Sequence, residues 1–123
     1  MLFRSLDLHG LAVQKVWVDG RPQRFTHARS RLTLKLPLAA GRELSVRVKY
    51  AGTPRPMRSR ALGAAGWEEL EDGVIVAAQP HGAPSWYPCN DRPDDKATYS
   101  IAVSAPAGYT VAVSGEQIGR AHV

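Results

Sequence analysis

Residues 43–50 read Glu-Leu-Ser-Val-Arg-Val-Lys-Tyr, so that Leu44, Val46, Val48 and Tyr50 alternate with Glu43, Ser45, Arg47 and Lys49. Apolar side chains at every second position fall on one face of an extended chain, whereas a helix needs them every third or fourth. Such a strand has one face to bury and one to wet, which is the pattern of antiparallel sheet with a solvated side. Residues 31–36 repeat it, with Leu32, Leu34 and Leu36 set against Arg31, Thr33 and Lys35. Weaker alternation runs through residues 3–8 and 12–18. Asp19-Gly20 can take the positive φ of a tight hairpin turn, and Phe25 belongs to the short return strand. Ala39-Ala40-Gly41 breaks the chain between the two clearest strands.

The second half is more broken. Residues 51–66 contain Gly52, Gly63, Gly66, Pro54 and Pro56 and hold no sustained period, so a long Pro/Gly-rich loop is expected there. Trp67–Leu70 and Val74–Ala78 flank Glu71-Asp72-Gly73, a hairpin signal. The segment from Pro80 to Lys96 holds four prolines, each of which removes a backbone donor and restricts the residue before it, so an irregular connection is expected. Alternation returns at Tyr99, Ile101 and Val103 and, after Pro106-Ala107-Gly108, at Val111 and Val113. No twelve-residue stretch has a helical period free of Pro and Gly. The reading is a single all-β domain over residues 1–123, an antiparallel β-sandwich of low helix content.

At 123 residues the chain has the size of one domain. No apolar run approaches the roughly 20 residues of a membrane-spanning helix, so no membrane partner is expected. Met1-Leu2-Phe3-Arg4 is followed at once by Asp7 and His9, which is not a signal peptide. The lone cysteine, Cys89, excludes an internal disulfide and points to a reducing, cytoplasmic compartment. The net charge of +5 is scattered over alternate strand positions. Its tightest group, Arg55, Arg58 and Arg60, has no interleaved aromatics, so no nucleic-acid partner is expected.

Hydrolysis at a zinc site needs closely spaced His and Glu ligands plus a general base, typically two histidines one helical turn apart with a glutamate between them. His9, His27, His81 and His122 are scattered, so no metal ligand and no catalytic residue is assigned. His81, Cys89 and Asp91 form the one trio in a neighbourhood, but a Pro-rich connection is a poor source of ligand geometry. Cys89 could serve as a nucleophile with His81 as its base; a small, buried hydrophobe is the better reading of a free cysteine. Glu68 and Glu69 point to opposite faces of a strand. Asn90, Asp91, Asp94 and Asp95 bracket Pro93 as turn residues do. Neither a Gly-x-Ser-x-Gly elbow nor a phosphate loop occurs.

Tyr87-Pro88-Cys89-Asn90-Asp91-Arg92-Pro93-Asp94-Asp95-Lys96-Ala97 resembles the Pro-Cys-x-Asp-x-Pro-x-x-Lys-Ala run in the N-terminal domain of the M1 family of zinc metallo-aminopeptidases. Thr98-Tyr99-Ser100-Ile101 resembles the strand that follows, and Val113-Ser114-Gly115-Glu116 is similar to the family's Ser/Asn-Gly-Glu segment. The resemblance reaches back more weakly to about Leu6. It implies part of the β-sandwich domain of an enzyme that removes N-terminal residues from peptides. The catalytic domain of that polypeptide is then the partner and a peptide N-terminus the substrate. Zinc belongs to the full-length enzyme, with no cofactor in this chain.

Tyr87, Pro88, Cys89, Asp91, Pro93 and Lys96 are implied as a structural motif. In the family a Gln-x-Gln/Glu segment upstream of the motif helps bind the substrate's α-amine. Gln79 falls on its second position and Ala77 on its first. A glutamine oxygen can accept a hydrogen bond from an ammonium, and an alanine cannot. The family's His-Glu-x-x-His helix and Gly-x-Met-x-Asn segment do not occur here, so the chain by itself is expected to be inactive. The family's sandwich also begins before the equivalent of Leu6 and continues beyond that of Gly119, which leads us to expect one sheet with an unpaired edge where early strands are absent, open to self-association. The alternative is a free-standing β-sandwich module that binds protein or carbohydrate through Trp67, Trp86 or Tyr87.

Overall fold

The computed structural model describes residues 5–36, 41–79, 81–92, 94 and 96–119. Nine strands occur among them: β1 (Ser5–Asp7), β2 (Ala12–Val18), β3 (Arg21–Pro22), β4 (Phe25–Ala28), β5 (Arg31–Leu34), β6 (Val46–Ala51), β7 (Met57–Ser59), β8 (Gly63–Leu70) and β9 (Gly73–Ala77). All pair antiparallel, in three three-stranded sheets of order β1-β5-β4, β3-β2-β6 and β7-β8-β9. The fold is all-β, as the alternation indicates. The helical content among the described residues is a 3-10 turn at Ala83–Ser85.

The core follows from period-two patterning. Val16 and Val18 on β2 and Leu32 and Leu34 on β5 are buried in one cluster, with Leu6, Phe25, Leu44 and Val48 packed against it. Because β2 and β5 belong to different sheets, the first two sheets face each other across this cluster as the layers of a sandwich do. Full burial of one such side chain contributes about 1.5–3 kcal/mol. On the opposite face of β2, Trp17 lies under the cations of Lys15 and Arg47, 5.2 and 5.0 Å from its ring centroid. Long basic side chains here cover an aromatic while their charges stay wet.

Two turns carry paired positive φ angles. Asp19 and Gly20 (φ 50° and 81°) join β2 to β3 as their sequence suggests. Arg29 and Ser30 (φ 53° and 62°) do the same between β4 and β5 without any glycine. Tertiary bonds hold this second turn: Leu8 N–H donates to the Ser30 carbonyl at 3.0 Å, and His9 Nδ1 lies 2.8 Å from Ser30 Oγ.

Three expectations are corrected. The long loop expected at residues 51–66 instead contains β7 and the start of β8. Pro54 and Pro56 bar regular pairing only as far as residue 56, and Gly63-Ala64-Ala65, too small to show a hydrophobic period, pair through their backbones with β7. The strand expected through residues 43–50 begins only at Val46, although Leu44 still packs on the core. Tyr99–Val103 and Val111–Val113 join no ladder, and residues 96–119 are exposed throughout. Alternation specifies which face a strand would bury, but a ladder also needs the backbone groups of a neighbour. Phe3, Arg4, Ala39 and Ala40 lie outside the described residues.

Candidate functional site

The proline-rich segment after β9 cannot form a ladder, and its hydrogen bonds are made singly, to all three sheets. Asp7 on β1 exchanges backbone bonds with Cys89, at 2.7 and 3.0 Å, and its carboxylate accepts from the Asp91 N–H at 3.1 Å. His9 N–H donates to the Pro84 carbonyl at 2.8 Å. From the second sheet, the Tyr50 hydroxyl on β6 donates to the Trp86 carbonyl at 3.0 Å. From the third, the Trp67 N–H on β8 donates to Ser85 Oγ at 2.9 Å, while the Ser85 hydroxyl donates to the Gly82 carbonyl at 2.6 Å. Ser85 is fully buried, so both bonds are made away from water. The segment is irregular as expected, and it is the tie between the sheets.

Gly66 on β8 and Gly82 cross at backbone contact. A Cβ on Gly66 would stand 2.4 Å from Ser85 Oγ and 2.5 Å from the Gly82 carbonyl oxygen, and one on Gly82 would stand 2.6 Å from the Gly66 nitrogen. Both residues also have positive φ, 99° and 120°, so glycine is required at each on two grounds. Gly66 is where β8 changes partner: Gly63–Ala65 pair with β7, and Gly66–Leu70 pair with β9. Ala77 lies opposite Gly66 and ends β9. Gln79 follows two residues later and is exposed.

The motif around Cys89 is chemically quiet. Partial burial pushes the Cys89 thiol up to about 12, and the carboxylates of Asp91 and Asp7 add to the effect. Burial and then Asp7 raise Asp91, while His81 pulls it the other way. The Tyr87 phenol is also raised, first by burial and then by its hydrogen bond with Tyr99. A thiol held protonated beside two carboxylates is neither a nucleophile near neutral pH nor a ready zinc ligand. No three His, Cys, Asp or Glu side chains converge among the described residues, so the residues present do not fit a zinc site.

Trp86 and Tyr87 are half-buried and meet edge to face at 4.8 Å, with Tyr99 against Tyr87 at 6.4 Å. Trp67 is half-buried as well. Arg92 and Asp94 form an exposed ion pair at 2.8 Å that holds the Asp94 carboxyl below its usual range. Lys96 is exposed. Pro93, with Pro80 and Asp95, lies outside the described residues. Sequence reasoning singled out Gln79 and the thiol motif but missed Asp7, Gly66, Gly82 and Ser85. Each of these matters through a partner distant in sequence, and Gly66 stood at the end of a stretch read as loop.

These features define an antiparallel β-domain whose proline-rich segment is tied by hydrogen bonds to all three sheets. The match to a family profile described as the Peptidase M1 N-terminal domain extends over residues 15–122. The chain belongs to that family. Among solved structures it is similar to an M1 zinc metallopeptidase variant from Deinococcus radiodurans bound to a Tyr-Ser-Ala substrate, with 33% identity and a TM-score of 0.66 over 74% of this chain and 21% of that one. It is also similar to a two-domain M1 zinc metallopeptidase variant bound to L-arginine, with 32% identity and a TM-score of 0.67 over 74% of this chain and 22% of that one. The chain thus spans about a fifth of the length of these relatives. No curated protein sequence matches it.

Proposed function

We propose that this domain serves a zinc aminopeptidase by capping the active-site cleft and anchoring the free α-amine of a peptide through Gln79. The observation that carries the reading is the exposed Gln79 amide just past the end of β9, beside a base tied to all three sheets. Two solved relatives support it, one bound to the tripeptide Tyr-Ser-Ala and one to L-arginine, both ligands with a free α-amine. The catalytic domain supplies the zinc, which polarises the scissile carbonyl and activates water. Gln79 contributes a neutral acceptor for the ammonium, and the methyl group of Ala77 contributes none. The single thiol fits a cytoplasmic setting. Self-association through an open sheet edge completes the reading for the chain by itself.

Gln79→Ala, introduced into the peptidase formed by this domain and its catalytic domain, is the direct test. A hydrogen bond to a charged group contributes about 1.5–3 kcal/mol, so KM for peptides with a free amine should rise at least about tenfold. The same substitution should leave the melting temperature unchanged, because the side chain is exposed. An unaltered KM refutes the anchoring role.

A further inference from the structure

We infer that Ser85, acting on the Gly66–Gly82 crossing, is a positioning residue for Gln79; this rests on the amine-anchoring reading above. The chain leaves β9 at Ala77, which lies opposite Gly66, and comes back to Gly66 at Gly82. Four residues of sequence separate the two points, Ala77 and Gly82, at which the chain meets Gly66. Gln79 stands two residues from the first and three from the second, so its Cα is within about 7 Å of Ala77 even at full extension. A connection this short has little freedom to absorb a shift at its base.

Ser85 locks the second of these points to the strand that holds the first. Its oxygen accepts from the amide of Trp67, the residue after Gly66, and its proton goes to the carbonyl of Gly82. One hydroxyl thus spans the crossing with its donor and its acceptor both engaged, in a setting free of water. Replacing Ser85 by alanine leaves the Trp67 N–H and the Gly82 carbonyl without that partner, and the crossing loosens at the base of this connection. Gln79 then shifts relative to the substrate amine, and a hydrogen bond lengthened or misaligned there weakens steeply.

The test is a double-substitution cycle in the peptidase formed by this domain and its catalytic domain. KM and kcat for a free-amine tripeptide are measured on the native protein, Ser85→Ala, Gln79→Ala and the double variant. Ser85→Ala should raise KM about tenfold, as loss of one charged hydrogen bond does, with kcat within about twofold. In the Gln79→Ala background it should add nothing. A KM unchanged by Ser85→Ala, or a rise that multiplies with that of Gln79→Ala, overturns the positioning role. An unchanged KM in Gln79→Ala alone overturns the amine reading instead.

Should Ser85→Ala fail to fold, one glycine inserted after Ala78 lengthens the connection while leaving the Ser85 clamp intact. It should give the same rise in KM, again absent from the Gln79→Ala background. An unaltered KM in that variant rejects a connection held to length by its ends.

Discussion

Cys89 shows what was legible at the scale of a single residue. The lone cysteine reads as a small buried side chain in preference to a nucleophile paired with His81, and the thiol is half-buried and held protonated. Its neighbours were not legible, because Asp7 lies far away in sequence and meets the motif only through the fold. Burial first, and then the Asp91 and Asp7 carboxylates, set a pH dependence. The folded thiol ionises near 12 against an ordinary value of 9.0, so the folded state holds its proton more tightly than the unfolded state does. Stability from this group is fully present below pH 9 and is lost as pH rises from about 9 towards about 12. Urea midpoints taken across that window should fall more steeply in the native protein than in Cys89→Ala. Parallel curves would show that the thiol is not responsible. Tyr50, raised by burial, contributes a common background to both proteins, whereas Tyr87 is raised in part by Cys89 itself, so its titration belongs to the difference between them.

Among the elements, the inner faces of β2 and β5 were legible and strands set by backbone alone were not, while the regular alternation of Tyr99, Ile101 and Val103 marked no ladder. β2 and β5 bury the residues that their alternation assigns to the inner face. β7 and the first half of β8 have no such pattern, since alanine and glycine on one side of a ladder leave nothing to alternate. The β4–β5 turn was equally silent, because Arg29-Ser30 lacks the asparagine or glycine that signals positive φ. That choice has an energetic consequence. A non-glycine residue in the left-handed region costs about 1–2 kcal/mol, and asparagine relieves part of it through local hydrogen bonding. Arg29 is exposed and its side chain holds no bond that the turn requires. Arg29→Asn should therefore stabilise the domain by about 0.5–1 kcal/mol, seen as a higher melting temperature. Ser30 is the wrong residue for this trial, because its carbonyl and hydroxyl meet Leu8 and His9. A lower melting temperature in Arg29→Asn would mean that the arginine side chain has a role the turn geometry does not reveal.

Taken as a molecule, the chain divides into a tied region and an unpaired one. The sandwich and the third sheet are joined through residues 82–91, whereas residues 96–119 lie exposed and outside any ladder. From Ala97 through Gly115 there is no charged residue, although Tyr99, Ile101, Val103, Tyr109, Val111 and Val113 all stand in solvent, Tyr99 with 66% of its surface accessible. Exposed edge strands are normally guarded by lysine, glutamate or proline, and a segment of high β-propensity without charge invites another strand. The net charge of +5 offers weak protection, because it lies elsewhere on the surface and salt screens it beyond about 8–10 Å. The isolated chain should therefore associate as its concentration rises, and more strongly at higher ionic strength, in sedimentation velocity. Ile101→Lys with Val111→Lys places a charge on each segment and should restore a monomer without lowering the melting temperature, since neither side chain is part of the core cluster. A native chain that stays monomeric at every concentration and salt would show that these segments are protected without a neighbour, and the account of association through them would fail.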